Sequence, residues 1–200
     1  ANRPAMQEFM RFIDEGPHPR LETTVITLTP PDGRTIDLVS MVHVADASYY
    51  AAINELAKSY DSALYELVKA EGAAPPKPGQ KATSGVGMMQ RCMENVLKLE
   101  YQLDGIDYGH FECCGEGEFL AGLEGGEKGS VLVTERNNAA LAALATQTAA
   151  GQKSFGLLYG AAHMPDFYSR LTAMGYKQTA SRWLTAWDLT PAPTTQPTAP

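Results

Sequence analysis

The chain lacks the features that mark several common classes of protein. Its 200 residues include 3 cysteines and no C-x-x-C pair, so we expect neither a disulfide framework nor a cysteine-based structural zinc site. No apolar run approaches the roughly 18–20 residues of a membrane-spanning helix, and no segment resembles an uncleaved signal peptide. We therefore expect a soluble chain that does not insert into a membrane.

Positive charge is also scarce. Lysine and arginine number 16 against 23 aspartates and glutamates, which gives a net charge of −7. No stretch forms the basic stripe of a protein that binds nucleic acid or an anionic membrane. We expect no nucleic-acid partner, and a peptide or small-molecule substrate fits this charge better.

Apolar residues, in contrast, are plentiful. They make up 44% of the chain, enough to bury one core at this length. We expect a single α/β domain over residues 1–189, with a mixed sheet flanked by helices. A disordered tail rich in proline and threonine is expected over residues 190–200.

The pattern of apolar residues predicts the order of the elements. Runs at 21–28 and 35–42 flank Pro30-Pro31-Asp32-Gly33 and predict an N-terminal β-hairpin. A helix over 47–59 and a strand ending at Glu66 should follow, which makes the flanking strands parallel. Further predictions are helices over 4–14, 86–102, 131–147 and 164–174, a strand over 154–159, and strand structure over 176–189 with a break near Arg182.

Three polar residues each end a strand-like run. His43 follows Ser40-Met41-Val42, His163 follows Gly160-Ala161-Ala162, and Glu66 ends Ser62-Ala63-Leu64-Tyr65. Ligands of open α/β sheets bind beyond the carboxyl ends of the strands, so the three side chains are expected at one edge. Two imidazoles and a carboxylate are suited to a divalent metal with a position left for water. The alternative is that the strands do not bring them together and each is a hydrogen-bonded or solvated residue.

The segment Glu135-Arg136-Asn137 lies in the first two turns of the helix predicted over 131–147. A guanidinium can hold an anionic group or stabilise developing negative charge, and an amide can orient substrate or water. Arg136 and Asn137 are therefore candidate catalytic residues. Glu135 is a possible general base, but an exposed residue favoured by the helix dipole is the simpler interpretation.

Several blocks of the chain, taken in order, are similar to one family. They are VHVAD at 42–46, ALYEL at 63–67, LEYQLDGIDY at 99–108, TERN at 134–137 and YGAAHMP at 159–165. In this order they resemble the TraB/PrgY/GumN family, which is related to the Tiki metalloproteases and, more distantly, to the erythromycin esterase and ChaN-like haem-binding proteins. The resemblance spans about residues 8–189.

The resemblance implies two related halves, each ending a strand in x-x-H, and a metal-dependent, peptidase-like hydrolase. It implies His43, Glu66 and His163 as ligands of manganese, cobalt or zinc, and Arg136 with Asn137 as the catalytic pair. Family members that carry signal peptides, together with the methionine-free start of this chain, favour a periplasmic or secreted location.

Two departures from the family pattern bear on activity. Ser40 replaces the glycine of the first G-x-x-H motif, and the segment 109–129 replaces a longer helical stretch. If that stretch shapes the cleft, the scaffold persists with weak or no activity. Two alternatives therefore stand beside the hydrolase: a non-catalytic peptide-binding or regulatory protein, and a haem- or iron-binding protein.

Overall fold

A computed structural model of the chain describes residues 7–30, 32–66, 99–106, 112–113 and 127–190. Within these residues the fold is α/β, a mixed sheet flanked by helices, as predicted. The strands are β1 (Met10–Ile13), β2 (Arg20–Thr29), β3 (Thr35–Met41), β4 (Val44–Ala45), β5 (Ser62–Tyr65), β6 (Glu100–Tyr101), β7 (Glu112–Cys113), β8 (Ser154–Gly160) and β9 (Lys177–Asp188). The helices are α1 (Ala47–Lys58), α2 (Gln102–Gly105), α3 (Glu127–Ala149), a 3₁₀ turn (Ala161–His163) and α4 (Met164–Ala173).

The main sheet has the strand order β1-β2-β3-β8-β5-β7, and β9 also pairs with β2. Strands β2 and β3 form the predicted antiparallel hairpin. Strand β8 lies between β3 and β5 and is parallel to both. Met41 at the end of β3 lies opposite Gly160 at the end of β8, so the segments that carry His43 and His163 leave the sheet at the same edge.

The two faces of the sheet are buried by different helices, because side chains alternate between the faces along each strand. One face packs against α1 through Val39, Met41, Ala63, Tyr65 and Leu158. The other packs against α3 and α4 through Ile36, Leu38, Leu64, Phe155, Leu157 and Tyr159. The side chain of a residue at the end of a strand can therefore contact only the helices that pack on its own face of the sheet.

The helix predicted over 4–14 is wrong where the structure describes it. Met10–Ile13 is strand β1, paired antiparallel with Arg20–Thr23 of β2. The guanidinium of Arg11 binds the carboxylate of Glu22 at 2.7 Å and lies 3.9 Å from the ring centroid of Trp183. These cross-strand contacts outweigh the weak helical periodicity of a segment this short.

Two other element predictions also need correction. Strand β9 is continuous through Arg182, which pairs with Val25 of β2. The register of the β2–β9 pairing shifts elsewhere, between Leu21 and Glu22 and between Thr27 and Leu28. Most of the helix predicted over 86–102 lies outside the described residues, but Glu100–Tyr101 forms β6 and pairs with β4.

Several predictions concern residues that the structure does not describe. These residues are most of segment 109–129, two of the three cysteines (Cys92 and Cys114) and nearly all of the tail predicted over 190–200. In the part of the chain that is described, no helix is long and apolar enough to cross a bilayer.

Gly156 in β8 is a test of how tightly the α1 face of the sheet is packed. A Cβ at this position would overlap the ring of Tyr60, whose hydroxyl donates to Asp37 Oδ2 at 2.7 Å and so holds the ring in place. We expect Gly156→Ala to lower the free energy of unfolding by about 1–3 kcal/mol, measured by urea denaturation, because overpacking forces a shift. Adding Tyr60→Ala should make the glycine substitution nearly neutral; an undiminished cost in that background would contradict the overlap.

Candidate active site at the strand ends

Glu66 is the centre of a charged cluster directly beyond β5. Its Oε1 accepts a hydrogen bond from Arg136 Nη1 at 2.6 Å and lies 3.2 Å from His163 Nε2, while Oε2 accepts from the Gly160 N–H at 3.2 Å. The backbone N–H of Glu66 donates to Leu158 O at 3.1 Å, which extends the β5–β8 pairing by one residue. Glu66 also continues the alternation of Leu64, so its side chain lies on the α3 face and meets residues of that helix.

The electrostatic surroundings of Glu66 favour its ionised form. Its side chain is only 15% exposed. Burial alone would raise the pKa of this carboxyl, but His163, the Gly160 N–H and the Arg136 charge together lower it from 4.5 to about 2. The site therefore contains a partly buried carboxylate that carries its negative charge at neutral pH.

His163 is held on both sides of its ring. It ends the 3₁₀ turn that connects β8 to α4, and it is 4% exposed. Its ring lies 5.3 Å from the ring centroid of Tyr159 and 6.4 Å from that of Phe167. Nδ1 lies 2.7 Å from Asn137 Oδ1, and Nε2 is the atom that faces Glu66. The imidazole thus has a fixed orientation with one nitrogen for each neighbour.

The amide of Asn137 decides which nitrogen of His163 carries a proton. Asn137 Nδ2 donates to Asp166 Oδ2 at 2.7 Å and to the carbonyl of His163 at 3.3 Å. Its Oδ1 is therefore the atom that faces the ring, and an amide oxygen only accepts. It follows that Nδ1 of His163 is the donor, which leaves Nε2 with a lone pair in the neutral ring.

A cation is then required between Nε2 of His163 and Oε1 of Glu66. Two electron-rich atoms 3.2 Å apart repel each other unless a second proton on the ring or a metal ion lies between them. Two ligands that each bind a tetrahedral ion at about 2.1 Å are about 3.4 Å apart, so the observed separation suits a shared ion as well as a proton. The hydrogen bond of Nδ1 to an amide oxygen is also the kind of support that metal-bound histidines have.

His43, the third predicted ligand, has a different partner. Its Nδ1 lies 2.8 Å from Gln102 Oε1, and the Gln102 N–H donates to the carbonyl of His43 at 2.9 Å. Its side chain is exposed. His43 lies in the bend between β3 and β4, where it contacts the first residue of α2, whereas Glu66 contacts α3.

The structure therefore brings Glu66, His163, Arg136 and Asn137 together. It places His43 at the same edge of the sheet, where the side chain of His43 contacts Gln102. Among the described side chains, no group of three or more histidines, cysteines, aspartates or glutamates is arranged to hold one metal ion. The three-ligand set stays a prediction.

Sequence reasoning missed Asp166, Arg170 and Gln102. Asp166 accepts from Asn137 and from Arg170 Nε at 3.0 Å, but in the sequence it looks like an ordinary acidic residue in the first turn of a helix. Helix α3 also begins at Glu127, four residues earlier than predicted, so the Glu135-Arg136-Asn137 segment lies in its third turn. Glu135 is exposed there, away from the helix start that was expected to favour it.

Comparisons of the chain with protein-family models, with curated proteins and with solved structures returned no match. Inferences about function therefore depend on the residues and geometry of the site.

The depressed pKa of Glu66 makes a prediction about pH. A carboxyl with a pKa of about 2 in the fold and 4.5 as its ordinary value stabilises the fold above pH 4.5, and this contribution is lost as the pH falls towards 2. Glu66→Gln should lower the free energy of unfolding by about 1.5–3 kcal/mol at pH 6, because it removes hydrogen bonds to a charged group. The difference from the wild type, measured by urea denaturation, should shrink between pH 4.5 and 2.

Glu135→Gln is the matched control, since Glu135 is an exposed glutamate on the same helix as Arg136. It should change stability little at either pH. An effect of Glu66→Gln that stays equal at pH 6 and pH 2.5 would show that its carboxylate charge is not what stabilises the fold.

Proposed function

We propose that this protein is a metal-dependent hydrolase that acts on a peptide-like substrate, with its centre at Glu66 and His163. The observation that carries the proposal is the 3.2 Å distance between Nε2 of His163 and Oε1 of Glu66. The other ring nitrogen of His163, Nδ1, already donates to Asn137. This donor pair suits manganese, cobalt or zinc.

The bound ion would supply Lewis acidity and activate water close to neutral pH. Glu66 and His163 would hold it, and the Gly160 N–H would keep the second carboxylate oxygen in place. Arg136 is suited to bind the substrate, because its side chain is 33% exposed while Nη1 binds Glu66. It would hold an anionic group or stabilise negative charge that develops during hydrolysis.

His43 is proposed as the third ligand. Its Nδ1 contacts the amide oxygen of Gln102 as the Nδ1 of His163 contacts that of Asn137. In both rings this contact directs Nε2 as the coordinating atom. The parallel pairing of β3 and β8 puts both histidine segments at one edge.

The similarity to the TraB/PrgY/GumN family belongs to this proposal. The residues that carry that similarity include the four that meet at the site, Glu66, Arg136, Asn137 and His163. A hydrolase of that type, related to the Tiki metalloproteases, is consistent with the donor set.

A second candidate is a peptide-binding protein without a metal. The observation that favours it is the 2.6 Å ion pair between Arg136 and Glu66, which already neutralises the carboxylate. With a second proton on His163, the cluster is satisfied and would bind a ligand without catalysis.

Metal titration separates the two candidates. We expect chelator-free wild type to bind about one equivalent of Co²⁺, Mn²⁺ or Zn²⁺ in calorimetry, and Glu66→Gln and His163→Gln each to weaken binding by at least about tenfold. His18→Gln is the matched histidine control, because His18 lies in a loop and contacts Thr190 Oγ1 at 3.1 Å. A wild type without affinity for these ions would reject the metal site and favour the second candidate, and a Soret band in the purified protein would favour a haem carrier.

Peptide hydrolysis tests the reaction itself. The metal-loaded wild type should cleave members of a mixed peptide library, detected by mass spectrometry, and folded His163→Gln should lose the activity by at least about a hundredfold, because it loses a ligand of the ion. Equal cleavage by His18→Gln would show that the loss is specific to the site. Cleavage that survives His163→Gln unchanged would count against this centre.

A further inference from the structure

We propose that Asp166 is a positioning residue that acts through Asn137 and keeps a proton on Nδ1 of His163. Asp166 Oδ2 accepts from Asn137 Nδ2 at 2.7 Å, and Asn137 Oδ1 lies 2.7 Å from His163 Nδ1. Asp166 does not contact the reacting groups itself, so its effect on the ring passes through the amide.

The amide of Asn137 needs such an anchor. The oxygen and the NH₂ group of an asparagine are nearly equal in size, so a rotation of the amide by half a turn exchanges an acceptor for a donor. An ionised carboxylate only accepts, and the group that faces Asp166 must then be the NH₂. The carboxylate thereby directs the amide oxygen to His163.

Asp166 is itself held in position. Arg170 Nε donates to Asp166 Oδ1 at 3.0 Å, and Arg170 Nη1 donates to Asn138 Oδ1 at 2.6 Å. Asp166 also lies in the first turn of α4, where the helix dipole favours a negative charge. Helix α3 therefore supplies Asn137 and Asn138 to one hydrogen-bonded network, and α4 supplies Asp166 and Arg170. The network ends at Nδ1 of His163.

The charge of Asp166 has a consequence for Nε2 of His163. Asparagine at position 166 has a single oxygen, and Arg170 Nε would hold it, so its NH₂ group would face Asn137. The Asn137 amide would then turn its oxygen to that NH₂ and donate to Nδ1, because its remaining contact, with the His163 carbonyl at 3.3 Å, is the longer of the two that hold it now. The neutral ring would then carry its proton on Nε2 and donate it to Glu66 Oε1. In that arrangement Glu66 accepts a hydrogen bond without a metal, and Nε2 lacks the lone pair that a metal needs. The consequence for metal binding rests on the proposed function.

Nitrogen-15 NMR of the histidine rings tests the inference in metal-free protein. The wild type should show a proton on Nδ1, which faces Asn137, in addition to the one that Nε2 shares with Glu66, whereas Asp166→Asn should lack the proton on Nδ1. Asp61→Asn is the structural control: the Asp61 carboxylate accepts from the N–H groups of Lys153 and Ser154 at the opposite end of β8, so its loss should not move the proton. A wild-type ring without a proton on Nδ1, or an Asp166→Asn ring that keeps that proton, would overturn the proposal.

A double variant separates positioning from a general loss of structure. Asn137→Asp combined with Asp166→Asn places an acceptor-only group beside His163, so protonation at Nδ1 should return even though Asp166 is absent. Failure of this rescue in folded protein would also overturn the proposal. If Asp166→Asn does not fold, Asp166→Gln replaces it, since it also exchanges the acceptor-only carboxylate for an amide. A ring that keeps its proton on Nδ1 in that variant would overturn the proposal.

Cobalt affinity provides the second measurement. Asp166→Asn should weaken Co²⁺ binding by about 10–100-fold, as is usual when support of a metal-bound histidine is lost. If the wild type binds no cobalt, the proposed function fails, while the ring spectra still decide the role of Asp166. If the wild type binds cobalt and Asp166→Asn binds it equally well, the positioning role is wrong and the proposed function stands.

Discussion

The carboxylate of Glu66, of which only 15% of the side chain is exposed, connects the sheet to the helices on one of its faces. Removing a charged group from water is costly unless hydrogen bonds and opposite charges replace the water. The partners of Glu66 come from separate parts of the fold: Gly160 from β8, Arg136 from α3, and His163 from the turn that leads into α4. Satisfying this charge therefore requires that β5, β8 and both helices take their positions together.

The two strand-end histidines differ in how firmly they are held. His163 is 4% exposed, packs beside Tyr159 and receives its orientation from Asn137. His43 is exposed and is held by the side chain and backbone of Gln102. For the proposed metal site this means that Glu66 and His163 would be two ligands fixed in advance, with the exposed His43 at the same edge of the sheet.

Sequence reasoning was strongest where the pattern was long and regular. The β2–β3 hairpin, helix α1 and strand β8 follow from alternating or helical apolar spacing bounded by turn residues. It was weakest for short segments, in which the periodicity of apolar residues is poorly defined. Met10–Ile13 has helical spacing but pairs with β2, because cross-strand contacts outweigh local preference. Strand β9 continues through Arg182 for a similar reason, since it pairs with β2 along its length and accommodates its irregularities elsewhere.

The sequence by itself determined which side chains end the strands, because a strand-like run followed by a histidine or glutamate can be read residue by residue. It also indicated that these ends share one edge, since parallel strands have that geometry. Only the tertiary structure decided that Glu66 meets His163 while His43 contacts Gln102, and that Asp166 orients Asn137. These choices depend on the path of the chain beyond each strand and on the orientation of α3 and α4. Contacts between residues far apart in the chain have no local signal.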